Sequence, residues 1–169
     1  MTKAILISGT ENTGKTTAIN NLYDYYTSKK GRKAKVLYKF PKHPNPKHPD
    51  ISAILEYEVN SEKKLVVLIS IGDSKDDIIN QNNNIVDELK KRSKVTKDVD
   101  YWIFTSRTTR ANYSTAISIA TALDHDYTEY PTLDAYYKKL SSPFIKYSLS
   151  KINLINSLFI DNIISSEML

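Results

Sequence analysis

The 169-residue sequence contains no cysteine. Disulfide bonds and cysteine-ligated metal sites are therefore excluded, and a chain without disulfides is typical of a reducing compartment. Long apolar runs are also missing, because the apolar stretch at residues 1–8 stops at Gly9. That stretch is too short to span a bilayer and has no small-residue cleavage site, so we expect neither a signal peptide nor a membrane segment, and a cytoplasmic protein.

Acidic residues are fewer than basic ones, with 19 Asp and Glu against 24 Lys and Arg, and the net charge is +5. The basic residues are scattered over 29–47, 90–97 and 138–151 instead of forming one arm. A nucleic-acid partner is therefore an alternative that we do not favour. The length fits one domain, residues 1–169, and a hydrophobic fraction of 40% is ordinary for a globular protein.

Glycine is scarce too, with four in the chain, but two of them frame a phosphate-binding pattern. The pattern G-x-x-x-x-G-K-[ST] is matched by Gly9, Thr10, Glu11, Asn12, Thr13, Gly14, Lys15 and Thr16. The two glycines let successive amides turn toward a phosphate, and a helix starting at Lys15 adds its positive dipole end. Lys15 would reach the β- and γ-phosphates, Thr16 would bind Mg²⁺ and Thr17 would touch the α-phosphate.

Short apolar runs alternate with amphipathic segments along the chain. Strands are predicted at 3–8, 34–40, 64–71, 101–105 and 127–130, and helices at 15–30, 51–59, 76–92, 113–123, 134–140 and from Pro143 onward. Asp50 is interpreted as the N-cap of the second helix. The alternation predicts an α/β fold, a three-layer sandwich with a mostly parallel sheet of about five strands, whose ligands bind at the carboxyl ends of the strands.

Polar residues follow the third predicted strand, which ends in Gly72-Asp73. Phosphate-loop proteins hold magnesium with a carboxylate at the end of a neighbouring strand. Asp73 is therefore the candidate metal residue, with Asp76 and Asp77 as alternatives. Capping of the next helix is the competing role for Asp73.

A second polar cluster follows the strand at 101–105 and contains Arg107 and Arg110. An arginine at this place would stabilise the transferred phosphoryl group or bind a second anionic substrate. We favour Arg107 because it lies closer to the strand end. A surface arginine in a polar loop is the alternative.

Two other features have no assigned role. The proline-rich segment 41–49 is predicted to be an extended loop, in which His43 and His48 make a poor metal site without a third ligand. In nucleotide-monophosphate kinases the corresponding region embraces the phosphoryl acceptor. Residues 39–63 are therefore interpreted either as a substrate-binding insert or as a plain surface loop. The apolar stripe at 145–163 packs within the chain or forms a homodimer contact.

The residues GTENTGKTT, followed by an apolar strand ending in Gly72-Asp73, resemble the P-loop NTPase superfamily, and its kinase–GTPase branch in particular. The resemblance covers roughly residues 1–110. It implies that the strand ending at Asp73 lies beside the strand ending at Ser8. It also carries over Lys15, Thr16 and Asp73 as phosphate and magnesium residues. The runs KLVVLISIGD and DYWIFTSRTTR look like those of small P-loop proteins from bacteria and phages.

The sequence also departs from specific families. The Asp-Arg pair of thymidylate-kinase-like proteins is replaced by Asp73-Ser74, and the guanine-reading motif of GTPases has no match in its expected place. ATP, with GTP as the alternative, is therefore the expected nucleotide, together with Mg²⁺. We expect a kinase-like phosphotransferase that acts on a small molecule or a nucleotide, or an NTP hydrolase, with Lys15, Asp73 and Arg107 as catalytic residues. A nucleotide-dependent switch with slow hydrolysis, and a nucleic-acid-associated ATPase, are the alternatives.

Overall fold

The structure, a computed structural model, describes residues 1–10, 13–41 and 50–131, together with Leu158, Asp161, Asn162 and Ser165. The three ranges contain the strands β1 (Lys3–Gly9), β2 (Lys35–Phe40), β3 (Ser52–Val59), β4 (Glu62–Ile69), β5 (Tyr101–Arg107) and β6 (Thr128–Pro131). The helices are α1 (Lys15–Thr27), α2 (Lys75–Lys90) and α3 (Arg110–Leu123), with a short 3-10 helix at Thr96–Asp98. None of these described helices is long and apolar enough to cross a membrane.

All six strands form one sheet in the order β2-β3-β4-β5-β1-β6. The pairs β4–β5, β5–β1 and β1–β6 are parallel, whereas β2–β3 and β3–β4 are antiparallel. The α/β class predicted from the sequence is confirmed, and the sheet is mixed. The helix predicted at 134–140, the apolar residues of the 145–163 stripe and both histidines of the proline-rich loop lie outside the described residues. Of the helix predicted beyond Pro143, only Leu158, Asp161, Asn162 and Ser165 are described, and they are helical.

Helices cover both faces of the sheet, which gives three layers. The core under α1 includes the helix residues Ala18, Ile19, Leu22 and Tyr26. The opposite core includes Ile78, Ile85 and Leu89 of α2 and Ala116 and Ala120 of α3. Strand residues enter the two cores alternately, so that Ile5 and Ile7 of β1 face α1 while Ala4 and Leu6 face the other helices. Burial on both sides explains why β1 reads as one continuous apolar run.

The helix predicted at 51–59 is wrong, because these residues form β3. The alternating residues Ala53, Leu55 and Tyr57 are buried under α1, which is the two-residue period of a strand. A turn at Asn60 and Ser61 connects β3 to β4, and both residues have positive φ, 51° and 66°. A two-residue hairpin turn of this kind matches the twist of its strands, although its usual residue pair contains glycine.

Because β3 is antiparallel to β4, its amino end lies at the carboxyl end of β4, with Ser52 opposite Ile69. The carboxyl ends of β4, β5 and β1 lie side by side along the same edge of the sheet. We call this the phosphate edge: the carboxyl ends of β1, β4 and β5 together with the amino end of β3. Asp50, just before β3, therefore lies at the phosphate edge.

The neighbour of β1 also differs from the sequence-based expectation. The resemblance to kinases and GTPases implied that the strand leading to Asp73 lies beside the strand ending at Ser8. In the structure β5 separates β4 from β1. The side chains nearest to β1 along the phosphate edge therefore come from β5, where Arg107 is paired with Gly9.

The outer strand β2 carries a bulge. Its register against β3 shifts between Val36 and Tyr38, which leaves Leu37 as the extra residue. The carbonyl oxygen of Leu37 accepts a hydrogen bond from Arg92 Nη2 at 2.7 Å. Arg92 Nη1 also donates to Glu88 Oε2 at 2.6 Å. Bulges and long basic side chains along an outer strand oppose pairing with another chain.

One polar contact inside the α2–α3 core links helix and sheet. Trp102 of β5 is the only tryptophan of the sequence and is 1% exposed. Its Nε1 donates to Asn82 Oδ1 at 2.9 Å, and Asn82 Nδ2 donates to the Ile78 carbonyl oxygen at 2.8 Å. The buried amide therefore satisfies the indole N–H as well as its own donor.

We expect Asn82→Ala to lower the free energy of unfolding by about 1–3 kcal/mol, because it leaves the buried indole N–H without its acceptor. Urea denaturation followed by Trp102 fluorescence measures the change. The control is Asn83→Ala, one residue along α2 and exposed to solvent, for which the change should stay within about 0.5 kcal/mol. Equal effects of the two substitutions would contradict the assigned hydrogen bond.

Candidate functional site

The phosphate loop, residues 9–16, connects β1 to α1 at the phosphate edge. Gly14 is the N-cap of α1 and has a φ of 89°, in the left-handed region that favours glycine. The Gly14 carbonyl oxygen accepts from the Ala18 N–H at 2.9 Å, which is the first hydrogen bond of the helix. Glu11 and Asn12 lie outside the described residues. The backbone at the start of α1 thus favours glycine at position 14, the second glycine of the motif.

The Lys15 side chain folds into the loop. Lys15 is 9% exposed, and its ammonium donates to the Thr10 carbonyl oxygen. The Thr13 hydroxyl lies 3.4 Å from the ammonium and itself donates to the Thr10 carbonyl oxygen at 2.9 Å. The positive charge therefore lies against oxygen atoms of the loop, at the positive end of α1.

The next residue, Thr16, contacts a carboxylate that sequence reasoning did not place at the site. The Thr16 hydroxyl donates to Asp50 Oδ1 at 2.9 Å. Ser70 Oγ, at the end of β4, lies 3.4 Å from the same carboxylate oxygen. From the sequence, Asp50 was expected to cap a helix. Asp50 lies here because β3 runs antiparallel to β4. The only local feature that could have indicated this strand direction is the hairpin turn at residues 60–61.

Asp50 is held in place by hydrogen bonds of the residue that follows it. The Ile51 N–H donates to Ser70 Oγ at 2.7 Å, and the Ser70 N–H donates to the Ile51 carbonyl oxygen at 2.8 Å. These two bonds continue the pairing of β3 with β4 by one step. The half-buried Asp50 side chain is thereby directed at the start of α1.

Asp73 and Arg107, predicted for two separate roles, pair with each other. Arg107 Nε donates to Asp73 Oδ1 at 2.8 Å, with the side chains 27% and 64% exposed. Asn112 of α3 donates to the Asp73 carbonyl oxygen at 2.8 Å. Since the Thr108 N–H donates to the Gly9 carbonyl oxygen at 3.2 Å, the pair lies beside the first residue of the phosphate loop.

Neighbouring candidates have simpler roles. The N-cap of α2 is Ser74, whose hydroxyl accepts from the Asp77 N–H at 3.1 Å, so Asp73 does not cap this helix. Asp76 and Arg110 are exposed in the first turns of α2 and α3, and Thr17 is exposed on α1. The geometry therefore brings together Lys15, Thr16, Asp50, Asp73 and Arg107.

Gly72 lets β4 and β5 approach each other where this group forms. A Cβ atom at Gly72 would lie 2.2 Å from the Thr105 carbonyl oxygen, a backbone atom that no rotamer can move away. The Arg107 N–H reaches the Gly72 carbonyl oxygen at 3.4 Å. A side chain at residue 72 would separate the loop that carries Asp73 from Arg107.

Another polar cluster, around Glu129, lies next to the loop on the α3 side of the sheet. It was not predicted from the sequence. The Glu129 carboxylate of β6 accepts from the Ser8 hydroxyl and from the Tyr113 hydroxyl, the latter at 2.9 and 3.0 Å. The hydrogen bond to Glu129 is the main cause that raises the pKa of Tyr113, with burial second. This cluster ties α3 and β6 to the residue before Gly9, on the face opposite to α1.

The atoms at the phosphate edge suit a magnesium–nucleotide complex. The Thr16 hydroxyl and the Asp50 carboxylate are hard oxygen donors, which Mg²⁺ prefers. Among the described residues no group of three or more His, Cys, Asp or Glu side chains could hold a metal ion. Nucleotide sites do not need such a group, because one or two carboxylates act there together with substrate phosphates and water.

No protein-family model, curated protein or solved structure matches the chain. Its function must therefore be argued from the phosphate loop and the side chains around it.

Proposed function

We propose that the protein binds a magnesium–nucleoside triphosphate, ATP by preference, at residues 9–16 and transfers its γ-phosphoryl group to a second small anionic substrate. The observation that carries the proposal is the inward-folded Lys15, which lies against the loop at the start of α1. A cation at that point adds to the helix dipole, and both favour a bound polyphosphate.

In this proposal the main-chain N–H groups of the loop bind the phosphates, and Lys15 exchanges its contact with the Thr10 carbonyl oxygen for phosphate oxygens. The Thr16 hydroxyl and a carboxylate at the phosphate edge hold the metal. Held there by these oxygens, magnesium would supply neutralisation of the triphosphate charge. The protein then acts mainly by positioning and by charge stabilisation.

Arg107 is the residue proposed to contact the transferred group. Its ion pair with Asp73 is open to solvent on the Asp73 side, and exposed pairs are worth only about 0–1 kcal/mol. A phosphoryl group with more than one negative charge can therefore compete for the guanidinium. The position of Arg107 opposite Gly9 supports this role, because it puts this residue of β5 beside the first residue of the loop.

Transfer is favoured over hydrolysis because no glutamate follows either Asp50 or Asp73. Enzymes that activate water use a glutamate directly after the metal carboxylate, whereas this chain has Ile51 after Asp50 and Ser74, the N-cap of α2, after Asp73. No carboxylate is thus supplied at residue 74 to act as a base for water. A nucleotide-dependent switch with slow hydrolysis is the second candidate for the same reason.

We expect Lys15→Ala to weaken Mg-ATP binding by about a hundredfold or more, because a charge-assisted contact in a buried site is worth several kcal/mol. Isothermal calorimetry measures the affinity. Lys75→Ala is the matched control, since Lys75 is also the first residue of a helix but is exposed. Unchanged affinity in a folded Lys15→Ala protein would refute the proposed nucleotide site.

We expect ATP turnover to be stimulated by one member of a panel of nucleosides, nucleotides and small anions, with stoichiometric phosphorylated product. Arg107→Ala should then lower the stimulated turnover by about a thousandfold, as for an arginine that stabilises the transferred group. Arg110→Ala, in the same loop and exposed, should leave turnover within about threefold. Hydrolysis that is indifferent to every acceptor would instead favour the switch.

A further inference from the structure

We propose that Asp50, and not Asp73, supplies the carboxylate of the magnesium shell, with the Thr16 hydroxyl as its partner; this inference rests on the proposed nucleotide site. The phosphate edge offers two described carboxylates, one before β3 and one after β4. They differ in what they already contact. Those contacts decide which of the two can serve the metal.

The spacing of the two oxygens at Asp50 fits an octahedral ion. Mg²⁺ holds its ligands at about 2.0–2.1 Å in near-ideal octahedral geometry, so neighbouring ligand atoms are about 2.9 Å apart. Thr16 Oγ1 and Asp50 Oδ1 are separated by 2.9 Å. This separation is that of an ordinary hydrogen bond and also that of two adjacent positions of a magnesium shell, so both oxygens could bind one ion without moving apart.

The supports of Asp50 are those expected of a metal ligand. Metal-binding carboxylates are usually oriented by hydrogen bonds from a further layer of residues, which fix them before the ion arrives. Ser70 Oγ lies 3.4 Å from Asp50 Oδ1, and the two bonds between Ser70 and Ile51 fix the adjacent backbone. The carboxylate is thus held in place by β4, a central strand of the sheet.

Asp73 is engaged differently. Its carboxylate already accepts from the Arg107 guanidinium, and 64% of its side chain is exposed. A cation beside a carboxylate reduces the electrostatic gain from a second cation at the same oxygens. Since β5 also stands between β4 and β1, Asp73 acts as the counter-ion that holds Arg107 beside Gly9.

The test compares Asp50→Asn with Asp73→Asn, which remove the same charge and keep the same shape. For each protein the affinity of a fluorescent ATP analogue is measured with Mg²⁺ and with EDTA, and the ratio gives the magnesium enhancement. Asp50→Asn should lower the enhancement by about 10–100-fold relative to wild type, the range seen when the oriented ligands of a metal are altered. Asp73→Asn should leave it within about threefold, since its ion pair is exposed.

A wild-type enhancement in Asp50→Asn would overturn the assignment, as would an equal loss in both variants, because that would report the general removal of negative charge. If Asp50→Asn fails to fold by Trp102 fluorescence, Asp50→Ser keeps an uncharged oxygen near Thr16 and is read in the same way. Failure of the proposed function looks different, since wild type would then bind no triphosphate with or without Mg²⁺. That result would overturn both proposals.

Discussion

The two-residue turn at Asn60 and Ser61 fixes the register of β3 against β4, and the rest of the phosphate edge depends on that register. Eight paired positions run from Val59 opposite Glu62 to Ser52 opposite Ile69. A shift by one residue would turn every side chain of β3 to the other face. It would also move Asp50 away from Ser70 and Thr16. A turn at one end of the hairpin thus determines a contact at the other.

Charged side chains of both signs line the phosphate edge. Lys15 contacts the Thr10 carbonyl oxygen of the loop, Arg107 is paired with Gly9 in the strand register, and the carboxylates of Asp50 and Asp73 contact Thr16 and Arg107, respectively. In the proposed complex, phosphates and a divalent ion would replace these contacts without moving a strand. Preorganised donors of this kind stabilise developing charge better than donors that must first reorient.

The sequence predicted most of the elements because their signals are local. Continuous apolar runs marked β1, β4 and β5, which are buried on both faces, and helical spacing marked α1 and α2. The helix predicted at 51–59 was wrong for a physical reason: Asp50 resembles an N-cap, and the turn at 60–61 lacks the glycine that usually marks a hairpin. The order of the strands could not be predicted, because pairing between distant segments leaves no local pattern.

At the site, too, local features were predicted and contacts between distant residues were not. Gly14 and Lys15 belong to one contiguous motif, so the sequence alone predicted the positions of both. The contact between Thr16 and Asp50 joins residues 34 positions apart. It depends on β3 running antiparallel to β4. Asp73 and Arg107 both lie at the phosphate edge, yet their mutual ion pair was not predicted, since each was assigned a ligand of its own.

The bulge at Leu37 affects how copies of the chain can meet. An outer strand can extend its sheet into a neighbour only if successive outward carbonyl and N–H groups are available. On β2 the Leu37 carbonyl is already occupied by Arg92, and the bulge changes the local twist. At the other outer strand of the described sheet, β6 spans only Thr128–Pro131 and ends in a residue without an N–H. Strand-to-strand pairing between two copies is thus disfavoured at both outer strands of the described sheet.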